Sequence, residues 1–180
     1  KMNLSPIQEF CKKNKISFRN PSNLNSSEEL KNFRELHPDI VVVVAYGQII
    51  SKDFLNIPKL GFINLHASLL PKWRGAAPIQ RAIMNEDKKI GVSIMKIEEK
   101  LDAGPVLAAK KMTLDKNETY GEIEKKLSIM GANLLIENLR FIESGNHTKV
   151  WNASDQPSGI YIVQMTAEGF NASQKVVLIK

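Results

Sequence analysis

Along the chain the apolar positions switch between strand-like and helix-like spacing. Ser5-Pro6 opens a predicted helix that runs to about Lys13, with Pro6 in the first turn, where a missing N–H costs nothing. Ile16-Ser17-Phe18 is a short strand candidate. Ser26 with Glu29 forms a capping box, and Leu30, Phe33 and Leu36 follow at helical spacing. His37-Pro38 ends that helix, because proline disfavours the α region in the residue before it. Ile40 to Tyr46 is a near-continuous β-branched run, which suits a parallel strand covered on both faces, and Gly47 ends it.

The second half repeats the alternation. Phe62 to His66 predicts a buried strand, Pro78 to Met84 a helix, and Gly91 to Ile97 and Val106 to Leu114 two more strands. Thr119 and Glu122 form a second capping box. Ile123, Leu127, Met130, Leu134 and Ile142 then recur at three and four, a long amphipathic helix ending at Gly145. Alternating helices and strands predict an α/β fold with a mainly parallel sheet and helices on both faces. After Gly145 the pattern turns β-rich: Lys149 to Ala153, a turn at Gln156 to Gly159, then Ile160 to Val163 and Val176 to Ile179. The expected division is a domain over 1–148 and a partial β-rich module over 149–180.

Composition changes this picture little. The 180 residues are 43% hydrophobic and 24% charged, ordinary for a globular protein. The longest apolar run is strand-sized, so no membrane span is expected. One cysteine, Cys11, leaves no intrachain disulfide and suits a reducing cytoplasm. The net charge of +6 raises the odds of a nucleic-acid or phosphate partner, although the lysine pairs are scattered.

The candidate chemistry sits in two segments. Asn64 and His66, two apart on a strand, point to the same side. At the carboxyl end of a parallel strand that side can face the crevice where open α/β sheets bind ligands. Asn64 can donate an N–H to a developing oxyanion, and His66 can donate when protonated. Asp102, in the turn Leu101-Asp102-Ala103-Gly104-Pro105, offers a carboxylate that would hold an imidazole charged and oriented. Taken singly, each residue reads more readily as a structural hydrogen-bonder or turn former. His37, His66 and His147 lie far apart, so no metal site is expected. No dinucleotide or phosphate-loop glycine motif is present. Ser68 lacks the flanking glycines of a nucleophile elbow and reads as a brace for its turn.

Read as strings, Ile63-Asn64-Leu65-His66-Ala67-Ser68-Leu69-Leu70-Pro71, Trp73-Arg74-Gly75-Ala76-Ala77-Pro78-Ile79-Gln80 and Leu101-Asp102-Ala103-Gly104 resemble the 10-formyltetrahydrofolate-dependent formyltransferase family. Its members include glycinamide ribonucleotide formyltransferase, sugar N-formyltransferases, formyltetrahydrofolate dehydrogenase and methionyl-tRNA formyltransferase. The Trp73 to Gln80 string is closest to the last of these, and Val43 to Gly47 matches its folate-side strand. The resemblance implies a Rossmann-like domain with Asn64, His66 and Asp102 as catalytic residues. It implies folate contacts at Ser68, Leu69, Leu70 and Pro71, and a pterin held by Ala45, Tyr46, Gly47 and the loop Glu99-Lys100-Leu101-Asp102. The implied reaction moves formyl from 10-formyltetrahydrofolate to the α-amine of methionyl initiator tRNA, for translation initiation, in a cytoplasmic monomer. A nucleotide-linked amino sugar or another small amine is the alternative acceptor. Arg74 could anchor its loop or touch substrate; Trp73 could stack on a base but suits packing under the loop better. The family begins with a strand, a glycine-containing turn and a helix that do not precede Lys1 here. Residues 149–154 resemble a strand inside the family's barrel-like second domain. The chain is therefore expected to be part of a longer protein.

Overall fold

The computed structural model describes residues 4–99, 101–143, 159–167 and 170–178. The elements run α1 (Pro6–Lys13), α2 (Ser27–Glu35), β1 (Val41–Val44), α3 (Lys52–Leu55), β2 (Phe62–His66), α4 (Pro78–Met84), β3 (Lys89–Lys96), β4 (Val106–Thr113), α5 (Tyr120–Glu143), β5 (Gly159–Ala167) and β6 (Phe170–Leu178). The chain divides into two compact units, Lys1–Thr148 and Lys149–Lys180.

The first unit is α/β, built on a four-stranded sheet in the order β1-β2-β3-β4. The sheet is mixed, not mainly parallel: β1 and β2 are parallel, whereas β2–β3 and β3–β4 are antiparallel. β3 and β4 are joined by residues 97–105 alone, too few for the crossover of about a dozen residues that a parallel pair needs. β3 enters beside the end of β2, with Ser93 opposite His66 and Lys96 opposite Ile63, and Ser93 fastens it there through the Ser68 carbonyl and the Leu70 N–H.

Helices cover both faces of β2. Consecutive residues on a strand face opposite ways. Phe62 meets Phe33 of α2, with ring centroids 5.9 Å apart, and Phe33 in turn meets Phe54 of α3 at 5.1 Å. Ile63 joins the other core, with Ile79 and Ala82 of α4, Ile90, Val92 and Ile94 of β3, and Ile123, Leu127 and Leu134 of α5. The edge strand departs from expectation. Val42 and Val44 are 37% and 56% exposed, so the β-branched run is open on one face. It also stops early, because Ala45 adopts a left-handed backbone (φ 50°) two residues before Gly47.

The two expected capping boxes differ in outcome. At α5, Thr119 N–H donates to Glu122 and Glu122 N–H donates back to Thr119 Oγ1. At α2, Ser26 Oγ accepts from Glu29 N–H at 3.3 Å, but the Glu29 carboxylate turns instead to Arg19. The two-pronged guanidinium, with Nε 2.9 Å from Oε2, outcompetes a single backbone amide. Hydrogen bonding to Arg19 also holds the Glu29 carboxyl below the usual carboxylate range. Ser26→Ala is expected to cost about 1 kcal/mol of stability, read by urea unfolding; an unchanged midpoint would mean that Arg19 alone holds this helix start.

Ile16-Ser17-Phe18 is coil and not strand. No neighbouring strand pairs with it among the described residues, and Ile16 and Phe18 stay partly exposed. The four-residue α3 was not predicted; Ser51 at its start was the available signal. In the second unit, β5 and β6 are nine residues each and pair antiparallel from Gly159–Leu178 to Ala167–Phe170. They outrun the apolar segments that predicted them, because a backbone ladder extends through polar Gln164, Thr166, Asn171 and Ser173. The expected strand Lys149 to Ala153, most of the expected turn, and Gly145 lie outside the described residues. Among the described residues, no helix is long and apolar enough to cross a membrane.

Candidate active site

The site is built on the last three residues of β2. Asn64 and His66 share the face that carries Phe62, and the strand is held on both sides, with Asn64 opposite Val43 of β1 and Met95 of β3. Asp102 reaches them from the β3–β4 loop. The neck of that loop is closed by Lys96 N–H donating to Pro105 at 3.0 Å. Asp102 has a left-handed backbone (φ 45°). Its Oδ1 accepts a long hydrogen bond from Asn64 Nδ2 at 3.4 Å, and its Oδ2 accepts a short one from the Gly75 N–H at 2.8 Å. Oδ2 also lies 3.8 Å from His66 Nδ1.

His66 is 7% exposed, and its ring offers its two nitrogens to different partners. Nε2 is 2.9 Å from the Trp73 carbonyl oxygen. A carbonyl can only accept, so Nε2 carries hydrogen. Nδ1 faces the carboxylate at a distance too long for a hydrogen bond. Nδ1 is thus the ring nitrogen free for another partner, and a proton there would sit beside a negative charge.

The loop after β2 is tied down along its length. Ser68 is fully buried, and its hydroxyl donates to the Lys72 carbonyl at 2.6 Å. Ser93, also fully buried, donates to the Ser68 carbonyl and accepts from Leu70 N–H. The Trp73 indole N–H donates to Asp87 Oδ2 at 2.7 Å, while Lys72 and Asn85 donate to Asp87 Oδ1. Burial pushes the Asp87 carboxyl up, but the hydrogen bonds from Lys72, Trp73 and Asn85 outweigh it and hold the group below the usual range. Trp73 packs against the core edge, with Lys72 and Arg81 over its ring at 5.1 and 5.9 Å. Arg74 is anchored through its carbonyl, which accepts from Arg81; its side chain is exposed.

Asn64, His66 and Asp102 are therefore brought together. The residues expected against the folate are spread more widely. Leu69 and Leu70 are half-buried and Pro71 is exposed. Ser68 turns its hydroxyl into its own turn. Ala45, Tyr46 and Gly47 form an exposed segment after β1, and a Cβ on Gly47 would meet open space. Leu101 is 78% exposed beside Asp102; Lys100 lies outside the described residues. Asn25 holds the 45–50 segment from behind, donating to the Ile49 carbonyl and accepting from Ser51 N–H. A cleft of about 620 Å³ opens beside the Asp102 loop, lined by Lys52, Asn56, Phe62, Ile97, Glu98 and Glu99, and Lys52 pairs with Glu99 at 2.7 Å. Among the described residues no cluster of His, Cys, Asp or Glu could hold a metal ion.

Sequence reasoning missed Gly75, Trp73 as an acceptor, Asp87 and Ser93. The first two act through backbone atoms, which no side-chain pattern reveals. Ser93 did carry a signal, a lone hydroxyl between Val92 and Ile94 in an apolar strand. Left-handed non-glycine backbone at Ala45, Trp73, Ala77 and Asp102 gathers in the loops around the site, as strained conformations tend to do where function constrains them.

Known proteins resemble this chain over most of its length. It is 51% identical over 143 residues to a methionyl-tRNA formyltransferase of Pelagibacter ubique, covering 79% of this chain and 46% of that protein. The chain spans about half the length of the curated relatives it matches. Among solved structures, a phosphoribosylglycinamide formyltransferase of Bacillus halodurans aligns with a TM-score of 0.67 at 25% identity, over 77% of this chain and 75% of that one. A formyltransferase of Anoxybacillus kamchatkensis, solved with a UDP-linked formamido sugar and tetrahydrofolate, aligns at 0.61 and 25% identity, over 80% and 74%. The family profile described as formyl transferase matches residues 1–139, the stretch that carries Asn64, His66 and Asp102. By sequence and by fold alike, the chain belongs to the formyl transferase family.

Proposed function

We propose that this chain carries the catalytic part of an enzyme that transfers formyl from 10-formyltetrahydrofolate to the α-amine of methionyl initiator tRNA, the charged tRNA that starts translation. The observation that carries this reading is the convergence of an amide, an imidazole and a carboxylate at the end of β2. The acceptor is inferred from the similarity to curated methionyl-tRNA formyltransferases, and the net charge of +6 suits a polyanionic partner.

In the proposed step the amine nitrogen attacks the formyl carbon, and the carbonyl oxygen becomes an oxyanion. The bond from the formyl carbon to folate N10 then breaks. The amine loses a proton and N10 gains one, so the products are formyl-methionyl tRNA and tetrahydrofolate. Asn64 Nδ2 donates to the oxyanion, aided by a weak competing bond to Asp102. His66 donates through Nδ1, since Nε2 is held by Trp73. Asp102 stabilises the imidazolium and receives the amine proton, directly or through a water. The exposed 45–47 segment and the Glu99 to Asp102 loop would hold the pterin, with Leu69 to Pro71 on the folate side. The C-terminal hairpin would belong to a further β-rich domain, and the single cysteine suits a cytoplasmic enzyme.

The test is transfer of labelled formyl from 10-formyltetrahydrofolate, offered methionyl-tRNA and a nucleotide-linked 4-amino sugar together. Labelled tRNA is expected. Labelled sugar would keep the chemistry and overturn the acceptor; label on neither, from folded protein, would overturn the reading for this chain.

A further inference from the structure

We propose that Asp87 is a positioning residue for the site: through the Trp73 indole it fixes the Trp73 carbonyl on His66 Nε2, and so decides which imidazole nitrogen faces Asp102. The inference rests on the reading that His66 acts in catalysis.

The Asp87 side chain is only 6% exposed, yet it sits outside β2 and outside the Asp102 loop. Lys72 Nζ at 2.6 Å, Trp73 Nε1 at 2.7 Å and Asn85 Nδ2 at 2.7 Å all donate to it. Two of these donors come from consecutive residues of the loop after β2. The same tryptophan presents its carbonyl to His66 at 2.9 Å, from a left-handed backbone (φ 58°) that needs support to persist. The carboxylate therefore grips Trp73 by its side chain, and Trp73 grips His66 by its backbone. Ser93 holds the front of the loop and Asp102 holds Gly75 at its back, and their hydrogen bonds go to residues other than Trp73. With the indole released, the carbonyl is free to turn away. Either nitrogen of His66 could then carry the hydrogen, and the ring, no longer anchored through Nε2, would aim Nδ1 at the oxyanion only part of the time. Partners that orient a functional imidazole through its other nitrogen set its tautomer in this way.

The test uses protein labelled with ¹⁵N in its three histidines, with His66 assigned by loss of its signals in His66→Gln. Nitrogen chemical shifts report which ring atom carries hydrogen. Wild-type protein is expected to show His66 with hydrogen fixed on Nε2. Asp87→Asn and Trp73→Phe, which keeps a ring but has no N–H, are each expected to shift His66 toward mixed tautomers. The double variant is expected to go no further than either single one, as for members of one chain of contacts. Turnover is expected to fall about ten- to a hundredfold, with KM for the formyl donor unchanged. An unaltered His66 spectrum in folded Asp87→Asn, even with lowered thermal stability, overturns the proposal. Should Asp87→Asn fail to fold, Trp73→Phe decides on the same readout. The spectrum needs no acceptor, so a wrong acceptor and a wrong role for Asp87 are told apart.

Discussion

Asn64→Ala is expected to lower formyl transfer by about 10²–10³, near 3–4 kcal/mol of transition-state stabilisation, with little change in melting temperature. The two effects separate because of how this side chain is held. Asn64 is half-buried, and its hydrogen bond to Asp102 is 3.4 Å long, so the resting fold loses little when the amide goes. In the proposed step the bond that matters is the one to an oxyanion that exists only in the transition state. His66→Ala should lose activity on a similar scale, but with a second cost. It strands the Trp73 carbonyl without its donor, and an unsatisfied buried acceptor costs about 1–3 kcal/mol. Turnover and thermal melting, measured on both variants, check the pair. Near-normal turnover in Asn64→Ala would remove it from the mechanism.

Gly104→Ala is expected to unseat the Asp102 loop. A Cβ at this glycine would lie 2.0 Å from the Lys96 carbonyl oxygen, a backbone atom that cannot swing aside. Relief requires opening the neck where Lys96 N–H meets Pro105. Overpacking of this kind costs about 1–3 kcal/mol, or roughly 2–12 °C of melting temperature in a domain of this size. Activity should fall further than stability predicts, because the displaced neck carries Asp102 away from Asn64 and Gly75. A variant that melts and turns over like the wild type would show that the loop tolerates a wider neck.

Much of this was legible in the chain. The period-two placement of Asn64 and His66 put both on one face of a strand, and the strand is there. Thr119 and Glu122 marked the start of α5, and Pro78 the start of α4. What stayed hidden depended on which of two partners wins in space. Glu29 had the right spacing to cap α2, but Arg19, remote in sequence and free to fork, offered more. Ile16 to Phe18 had strand composition and, among the described residues, no strand to pair with. The sheet's direction depended on the short, helix-free connection from β3 to β4 and on the Ser93 contacts that fasten β3 beside the end of β2, and an alternation of helix and strand reports neither. The connections of the site itself run largely through the Trp73 carbonyl and the Gly75 amide, and every residue type has both groups.

The Gly75 amide has a consequence of its own. Its hydrogen points at the same carboxylate oxygen that faces His66, so it can trade with solvent only while that contact is broken. Its deuterium uptake is a clock on the Asp102 carboxylate: slow while Asp102 is docked, fast whenever the loop lifts. One backbone position can thus be followed through ligand addition or mutation to time the assembly of the site, before any product is made.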